Sequence, residues 1–390
     1  MMLARLFMQL KAVHRAATQE ERDAVYRFRY RIYVEELHRE LGGVDHDRRM
    51  VRDAEDDQPY THHFYVGSID AIEGVVRLRV WDPGAMPLAF AKKLSLHLFG
   101  PAQARLRTSE IGRFMIDPRR RGSLVLPSMA RRSYEFLAHE SNADLSFCYC
   151  RPGLVDYYRR LGARPYGAEL FEESEGMEVP LVSVLSDYAY YRQVKSPLAH
   201  WVKKYFGRGK RAPVDTGDFA HLFDDDAQKI ITDRRSVWSE FSAALQAAPG
   251  AGSFLDGLPE ATLRQLMNNG FIMDVPEGKL ITREGHMERE LYVVLSGAVE
   301  VVRGDTTIAR LGAGEVFGEM AFFRYEGKRW ASVRATRHSR IVTLRRKWMD
   351  DLARSNPEGA RAILFNLARV LAERAAATGA KEADGRREPA

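Results

Sequence analysis

The sequence predicts an α+β chain of two domains, an α/β fold followed by an antiparallel β-barrel of the jelly-roll kind with flanking helices. Three observations carry this. At 390 residues the chain is too long for one ordinary domain. Its first half interleaves short strand-like runs with stretches of helical period, the pattern of a sheet covered by helices. Most of its second half strings short alternating runs across glycine turns, the pattern of a barrel.

Composition bounds the rest. Hydrophobic residues make up 45% and charged residues 29%, as in a soluble globular protein. The net charge of +6 is spread along the chain, which suits anionic ligands and does not by itself indicate nucleic acid. Cys148 and Cys150 share one face of a predicted strand and lack a second pair for a zinc site. A reduced, buried pair is therefore expected, and no metal. No apolar run approaches the ~20 residues that cross a bilayer. The N-terminal stretch is interrupted by Arg5 and Lys11 and has no cleavage pattern, so a cytoplasmic chain is expected.

In chain order, residues 20–41 repeat apolar side chains at helical spacing, and residues 53–57 read as an acidic turn. Residues 63–67 and 74–81 form a predicted hairpin with Arg77 and Arg79 on one face, and 105–116 a third strand. A basic, Gly-containing loop at 117–123 then opens a helix running to about His139. Free amides and the dipole at such a helix start favour a pyrophosphate. The alternative is an ordinary turn with solvated arginines. A strand at 144–150 leads to a short helix that presents Tyr157 and Tyr158 and ends at Gly162.

The strand, the loop Arg119, Arg120, Arg121, Gly122, Ser123 and Leu124, the helix, the next strand and then Tyr157-Tyr158-Arg159-Arg160-Leu161-Gly162 together resemble the GNAT superfamily of acyltransferases. That resemblance implies a GNAT-type α/β domain with an acyl-CoA or acyl-carrier-protein donor, whose pyrophosphate would sit on the amides of 120–124. Leu124 stands where that superfamily usually has Gly or Ala. A narrower likeness rests on 29–37, Asp56-Asp57, Arg77-Leu78-Arg79 and 109–114. It resembles the branch of acyl-homoserine-lactone synthases and N-acyl amino acid synthases. That branch implies Glu110 as base, Arg113 shaping the site, and Arg29, Tyr33, Asp56 and Arg77 on the substrate side. Tyr158 stands where the superfamily often has the acid that protonates the leaving thiolate. Two plainer readings stay open: a Glu110–Arg113 ion pair at i,i+3, and Tyr158 as a core cap.

Residues 179–185 give one more strand. The amphipathic stretch 196–206 reads as a helix packed at the domain boundary, with a membrane-surface helix as the second reading. Residues 207–217, rich in Gly, Lys, Arg and Pro, read as a linker. The expected division is 1–206, a linker with connecting helices over 207–252 (225–247 among them), a barrel domain over 253–379 that opens with a helix at 259–268, and a disordered tail at 380–390.

Residues 312–335 form a small anion trap. Gly318 admits a close ligand, Glu319 supplies an acceptor of the kind a ribose hydroxyl needs, and Arg329, ten residues on, offers a fork for phosphate oxygens. Ala331 leaves room against the chain. With the strand runs at 276–281 and 291–301, this set resembles the cyclic-nucleotide-binding domain family. That resemblance implies Glu319 on the ribose 2′-hydroxyl and Arg329 with nearby amides on the cyclic phosphate. Gly318, Met320, Ala321, Trp330 and Ala331 complete the cassette, and Trp330 stands where the family usually has a small or hydroxylated residue.

A helix-start signal at Ser355-Asn356-Pro357-Glu358 opens a helix with an apolar stripe. No helix-turn-helix follows it, so no nucleic-acid partner is expected. The sequence thus predicts an N-acyltransferase acting on an amino acid or similar small amine and regulated by a cyclic nucleotide, cAMP ahead of cGMP. The alternatives are a cyclic-nucleotide-regulated protein lysine acetyltransferase, and a non-catalytic sensor or structural barrel with a degenerate GNAT domain.

Overall fold

The computed structural model describes residues 10–39, 41–167, 171–173, 176–207, 211–223, 254–269, 271–287, 289–323 and 328–384. The expected helix at 225–247 lies outside them. The chain divides into two units. One comprises Met1–Cys150, Leu154–Phe171 and Val179–Gln228, and the other Arg151–Gly153, Glu172–Glu178 and Lys229–Ala390.

In the first unit, β1 (Val13–Arg15) leads into α1 (Gln19–Tyr30), which widens into a π-helical turn at Arg31–Glu36. A capping box starts α1: Thr18 Oγ1 accepts from Glu21 N at 3.2 Å, and the Glu21 carboxylate accepts from Thr18 N at 2.9 Å. The short hairpin β2 (Val44–Asp45) and β3 (Met50–Val51) follows, then the long hairpin β4 (Thr61–Ser68) and β5 (Ala71–Trp81). After α2 (Leu88–Lys93) come β6 (Thr108–Ile116), α3 (Val125–Glu135), β7 (Leu145–Cys150) and α4 (Val155–Arg160). The last elements are β8 (Phe171–Glu173), β9 (Gly176–Val184), α5 (Tyr188–Gln193) and α6 (Ala199–Phe206).

The strands β1, β4, β5, β6, β7 and β9 are neighbours in that order, and only β6 and β7 run parallel within this series. Alternation along β4 and β5 divides their side chains between two cores. Tyr65 and Val75 pack under α1, while Phe64, Val76 and Leu78 pack under α3 and α6. A third core gathers Phe99, Phe147, Tyr166 and Phe219, with the Phe99 ring 5.4, 5.4 and 5.1 Å from the other three. Cys148 and Cys150 are both buried.

Two expectations change here. The apolar face of α6 is already covered: Val202, Tyr205 and Phe206 are buried, and the Tyr205 hydroxyl donates to Glu135 Oε1 at 2.9 Å. The side chains that suggested a membrane-surface helix serve the unit's core instead. The first unit also continues past residue 206. Arg211 donates to Asp144 Oδ1 at 2.6 Å, Val214 N to Ser186 Oγ at 2.9 Å, and Phe219 is fully buried. Residues 211–223 are therefore structure rather than linker.

The second unit starts with α7 (Glu260–Asn269) and β10 (Phe271–Val275). The strands β11 (Leu280–Thr282), β12 (Glu290–Ser296), β13 (Ala298–Arg303), β14 (Thr306–Gly312) and β15 (Val316–Phe317) follow. Next come α8 (Glu319–Phe323), β16 (Ser332–Ala335), β17 (Ser339–Arg345), α9 (Arg346–Ser355) and α10 (Pro357–Asp384). Two antiparallel sheets result, in the orders β10-β17-β12-β15 and β11-β16-β13-β14. Helices α7, α9 and α10 bury Leu266, Trp348, Leu352, Ile363 and Leu367 against Leu291, Val293, Val342 and Leu344 of the first sheet. The last helix runs to Asp384, beyond the tail boundary expected at 380, and 385–390 lie outside the described residues.

Truncating Phe219 tests the new boundary of the first unit. Phe219→Ala is expected to destabilise that unit by about 3–5 kcal/mol, as for other buried aromatics. Denaturant unfolding followed in the full chain measures this, and an unshifted midpoint would return 211–223 to the linker.

Candidate functional site

The parallel strands β6 and β7 pair over only three positions, Thr108↔Leu145, Ser109↔Ser146 and Glu110↔Phe147. Beyond them each strand keeps only its outer neighbour, so the sheet opens just past Glu110. Crevices at the carboxyl ends of such strands are where α/β sheets bind ligands. Glu110 is fully buried at this opening. Its Oε2 accepts from Arg79 Nε at 3.0 Å, and its Oε1 has no hydrogen-bond partner among the described residues. Gly112, two residues along the same strand face, makes space for that oxygen, since a Cβ there would lie 2.6 Å from Oε1.

A β-bulge lies beside Gly112. The register moves from Val75↔Met115 to Arg77↔Gly112, so Arg113 and Phe114 together face one residue. Arg113 takes φ of +52°, and its guanidinium reaches Asp53 Oδ2 at 2.8 Å. The i,i+3 ion pair with Glu110 is thus replaced by two separate pairs, Glu110–Arg79 and Arg113–Asp53. The Arg113 guanidinium also lies 5.2 Å from the centroid of the Tyr33 ring.

The expected substrate-side residues Arg29, Asp56 and Arg77 are brought together, but inside the protein. Arg29 donates to Asp56 Oδ2 at 2.7 Å, and Arg77 to Asp56 Oδ1 and Asp53 Oδ1 at 2.9 Å each. All three are under 5% exposed, so they shape the site rather than form its wall. The part of this network that reaches solvent is its rim, Asp53 and Arg113, with side chains 28% and 22% exposed. Burial works against the Asp53 and Asp56 carboxylates, yet the arginines beside them hold both below the usual carboxylate range. His63 Nδ1 faces Arg29 Nη2 at 2.9 Å. Arginine only donates, so this nitrogen accepts and the imidazole is neutral. Burial and then the Arg29 charge push the His63 pKa down to about 4.

In the basic loop, most of the expected amide donors are already engaged. Arg119 N donates to Asp117 Oδ1 at 2.9 Å, Arg120 N to Asp117 O at 2.8 Å, and Ser123 N to Arg120 O at 3.2 Å. Arg121 N is turned to Pro118 O at 3.4 Å. Gly122 N and Leu124 N make no hydrogen bond to the described residues, and they remain as donors for an anion ahead of α3. The arginine side chains are exposed and paired with Asp117, Glu73 and Glu36. Such surface pairs are weak enough for a phosphate to displace. Tyr158 is half-buried on α4, its ring centroid 6.3 Å from that of Tyr157. A cavity of about 550 Å³ is lined by Val34, His38, Arg39, Leu41, Val44 and His46, at the end of the π-helical turn.

In the second unit Gly318 has φ of +84°, and a Cβ there would lie 2.3 Å from Arg329 Nη1. Only glycine suits both demands. Arg329 is buried; its Nη1 donates to Gly318 O at 3.0 Å and its Nη2 to Glu290 O at 2.8 Å. Its guanidinium lies 5.2 Å from the Tyr292 ring, which stacks on Phe317 at 4.9 Å. Glu319 opens α8 and is 7% exposed; its Oε1 accepts from Arg374 Nη1 at 2.9 Å. Ala321 and Ala331 are buried, while Met320 is exposed. Trp330 is 40% exposed with the Arg303 guanidinium 4.6 Å from its ring, so the indole does not fill the interior beside Arg329. Among the described residues no group of three or more His, Cys, Asp or Glu side chains is placed to hold a metal ion. Nor is any described helix long and apolar enough to cross a membrane.

These two sites define a two-domain chain, a mixed α/β unit followed by an antiparallel nucleotide-binding barrel. Comparison with known proteins agrees. A family model described as N-acyl amino acid synthase FeeM matches residues 24–184, and one described as cyclic nucleotide-binding domain matches residues 272–356. Over those residues the chain is similar to N-acyl amino acid synthases in its first part and to cyclic nucleotide-binding domains in its second. The Cyclic AMP receptor protein of Thermus thermophilus is 38% identical over 104 residues, which are 25% of this chain and 46% of that protein. The cAMP-dependent protein kinase regulatory subunit of Blastocladiella emersonii is 31% identical over 158 residues, 38% of each chain. This chain thus spans less than half the length of either relative. The crystal structure of Thermus thermophilus catabolite activator protein aligns with 33% of this chain and 60% of its own, at 32% identity and a TM-score of 0.30.

Sequence reasoning passed over Asp53, Arg79, His63 and Arg374 as site residues. Asp53 and Asp56 stand at capping-box spacing and Arg79 two residues from Arg77, so local signals existed for both. His63 and Arg374 are placed only by the fold.

His63 yields a pH prediction. Its folded pKa is depressed, so the stability it contributes is complete above the unfolded value near 6.5 and is lost as pH falls toward about 4. At about 1.4 kcal/mol per unit, up to ~3 kcal/mol is at stake. His62, pushed down to about 4 by burial and then by Arg15, acts in the same direction. Denaturant midpoints between pH 7 and 4 are expected to fall, and His63→Gln to flatten that slope. An equal slope in the variant would remove the assignment.

Proposed function

We propose that the first unit transfers an acyl group from a thioester donor, acyl-CoA or an acyl-carrier protein, to the amine of an amino acid. The second unit binds a cyclic nucleotide, cAMP ahead of cGMP, and this binding regulates the transfer. One observation carries the enzymatic part: Glu110 presents a buried, partnerless carboxylate oxygen where two parallel strands part. Leaving such an oxygen unpaired is costly, and an amine that donates to it removes the cost. The match to the N-acyl amino acid synthase family over 24–184 supports the choice of acceptor.

The chemistry then needs few steps. The acceptor nitrogen attacks the thioester carbonyl, a C–N bond forms, and Glu110 Oε1 takes the proton that the nitrogen loses. Backbone donors at the strand opening meet the oxyanion. The C–S bond breaks, and Tyr158 protonates the departing thiolate before recovering a proton from solvent as Glu110 releases its own. Arg113, part-exposed at the rim, pairs with the acceptor carboxylate. Gly122 N and Leu124 N receive the donor's pyrophosphate, with the three arginine side chains around it. In the second unit Arg329 holds the cyclic phosphate and Glu319 the ribose hydroxyl. Couplings between two such sites are typically ~1–3 kcal/mol.

Mass analysis of products from acyl-CoA donors and a panel of amino acids, with and without cAMP, tests the reading. Glu110→Gln is expected to lower turnover by about 10²–10⁴-fold with folding unchanged. Full turnover in that variant would remove Glu110 from the mechanism. In calorimetric titration Arg329→Ala is expected to lose at least about 30-fold in cAMP affinity, ~2 kcal/mol.

A further inference from the structure

The helix α10 carries a regular core-facing stripe. Ala360, Ile363, Leu367 and Val370 are all buried in the second unit's core. The next position on that face is Arg374, one turn after Val370. An arginine where the pattern asks for an apolar residue needs a polar reason to be there. It has one: Nη1 donates to Glu319 Oε1 at 2.9 Å and Nη2 to Val316 O at 2.7 Å. Both contacts fall on the few residues around Gly318. The two side chains are 33% and 9% exposed, so the pair is only partly shielded from water.

We propose that Arg374 is an internal competitor of the nucleotide. Its guanidinium occupies the carboxylate that a ribose hydroxyl would take, so ligand and helix α10 contend for Glu319. The inference rests on reading 318–331 as the nucleotide site and adds how that site is regulated. Arg374 lies outside the residues matched by the cyclic nucleotide-binding family model, 272–356, so that match says nothing about this contact.

The rest of α10 is held independently. Asn356 Nδ2 donates to Thr262 Oγ1 at 3.2 Å and Gln265 Oε1 at 3.0 Å, and Asn356 Oδ1 accepts from Gly359 N at 2.9 Å. Asn366 Nδ2 donates to Phe254 O at 3.0 Å and Asp256 O at 2.7 Å, and Arg369 pairs with Asp256 at 3.1 Å. These contacts hold the first four turns of α10 whether or not Arg374 is engaged. A ligand that must displace an internal group binds more weakly than its own contacts allow, by the fraction of molecules in which the site is clear.

Calorimetric titration of the full chain with cAMP, for wild type, Arg374→Ala, Arg374→Gln and Arg329→Ala, tests this, with melting temperatures checked for each. Arg374→Ala is expected to bind cAMP about tenfold more tightly than wild type. Arg374→Gln, which keeps a donor for Val316 O without the charge, should tighten in the same direction. Unchanged or weaker binding in both folded variants would overturn the proposal, and weaker binding would make Arg374 a nucleotide ligand. If Arg329→Ala loses affinity while the Arg374 variants match wild type, the nucleotide site stands and the competitor falls. If no variant and not wild type binds cAMP, the nucleotide reading itself fails and the competitor with it.

Discussion

Eight charged side chains meet on one face of the first unit's sheet, and the geometry of that unit follows from how they are paired. Arg29, Arg77, Arg79 and Arg113 face Asp53, Glu55, Asp56 and Glu110 through six ion pairs. Several of these groups are fully removed from water, a transfer that costs several kcal/mol per ion unless pairing offsets it. Each arginine must therefore find its carboxylate, and the backbone is arranged accordingly. The 3-10 turn Ala54–Asp57 supplies both aspartates from one locked capping box: Asp53 Oδ1 accepts from Glu55 N at 3.1 Å and Asp56 Oδ2 from Asp53 N at 2.9 Å. Helix α1 delivers Arg29, and β5 delivers Arg77 and Arg79 from one face. Removing a single partner in such a network costs about 3–5 kcal/mol, because the charge left behind stays buried.

The same constraint fixes the candidate base. Glu110 stands opposite Arg79 in the β5–β6 register, so one of its oxygens is neutralised by the strand next door. The other is left over at the last position where β7 pairs with β6. A bulge at the following residues turns Arg113 toward Asp53 rather than Glu110. Scaffold and candidate base are therefore one construction: the ion pair that anchors Glu110 also aims it. This favours a carboxylate held rigid before any substrate arrives, the condition under which a general base is most effective.

How much of this was legible depends on sequence distance. The nucleotide cassette was readable because Gly318, Glu319 and Arg329 lie within twelve residues, and the Gly318–Arg329 contact joins the two ends of one short segment. The hairpin β4–β5 and the helix stripes were equally local. The Glu110–Arg79 pair was not, since it spans 31 residues and depends on strand register. The basic loop was read as a run of open amides, with Asp117 as no more than its first residue. Its carboxylate instead caps the turn and consumes the Arg119 donor. Residues 211–217 have a linker's composition, and the packing of Phe219 against Phe99 just beyond them makes the segment part of a core. The tail was expected from residue 380, yet one glycine costs only about 1 kcal/mol in a helix, and α10 continues through Gly379.

The two units use arginine in opposite ways. In the first, Asp56 touches both Arg29 and Arg77, and Asp53 both Arg77 and Arg113. Any small ligand that displaced one cation would leave other charges buried and unmatched, so these pairs act as permanent framework. The Arg374–Glu319 contact in the second unit has a different balance. Arg374 is a third exposed, so on leaving it regains water rather than a void. Glu319 in turn can exchange the guanidinium for a hydroxyl donor without a change in its own position. The net cost of that exchange is small by the standards of partly exposed pairs, which is the property a replaceable contact requires. Burial thus separates the two uses: the charges closed off from water frame the candidate transfer site, and a charge left at the surface can answer to a ligand.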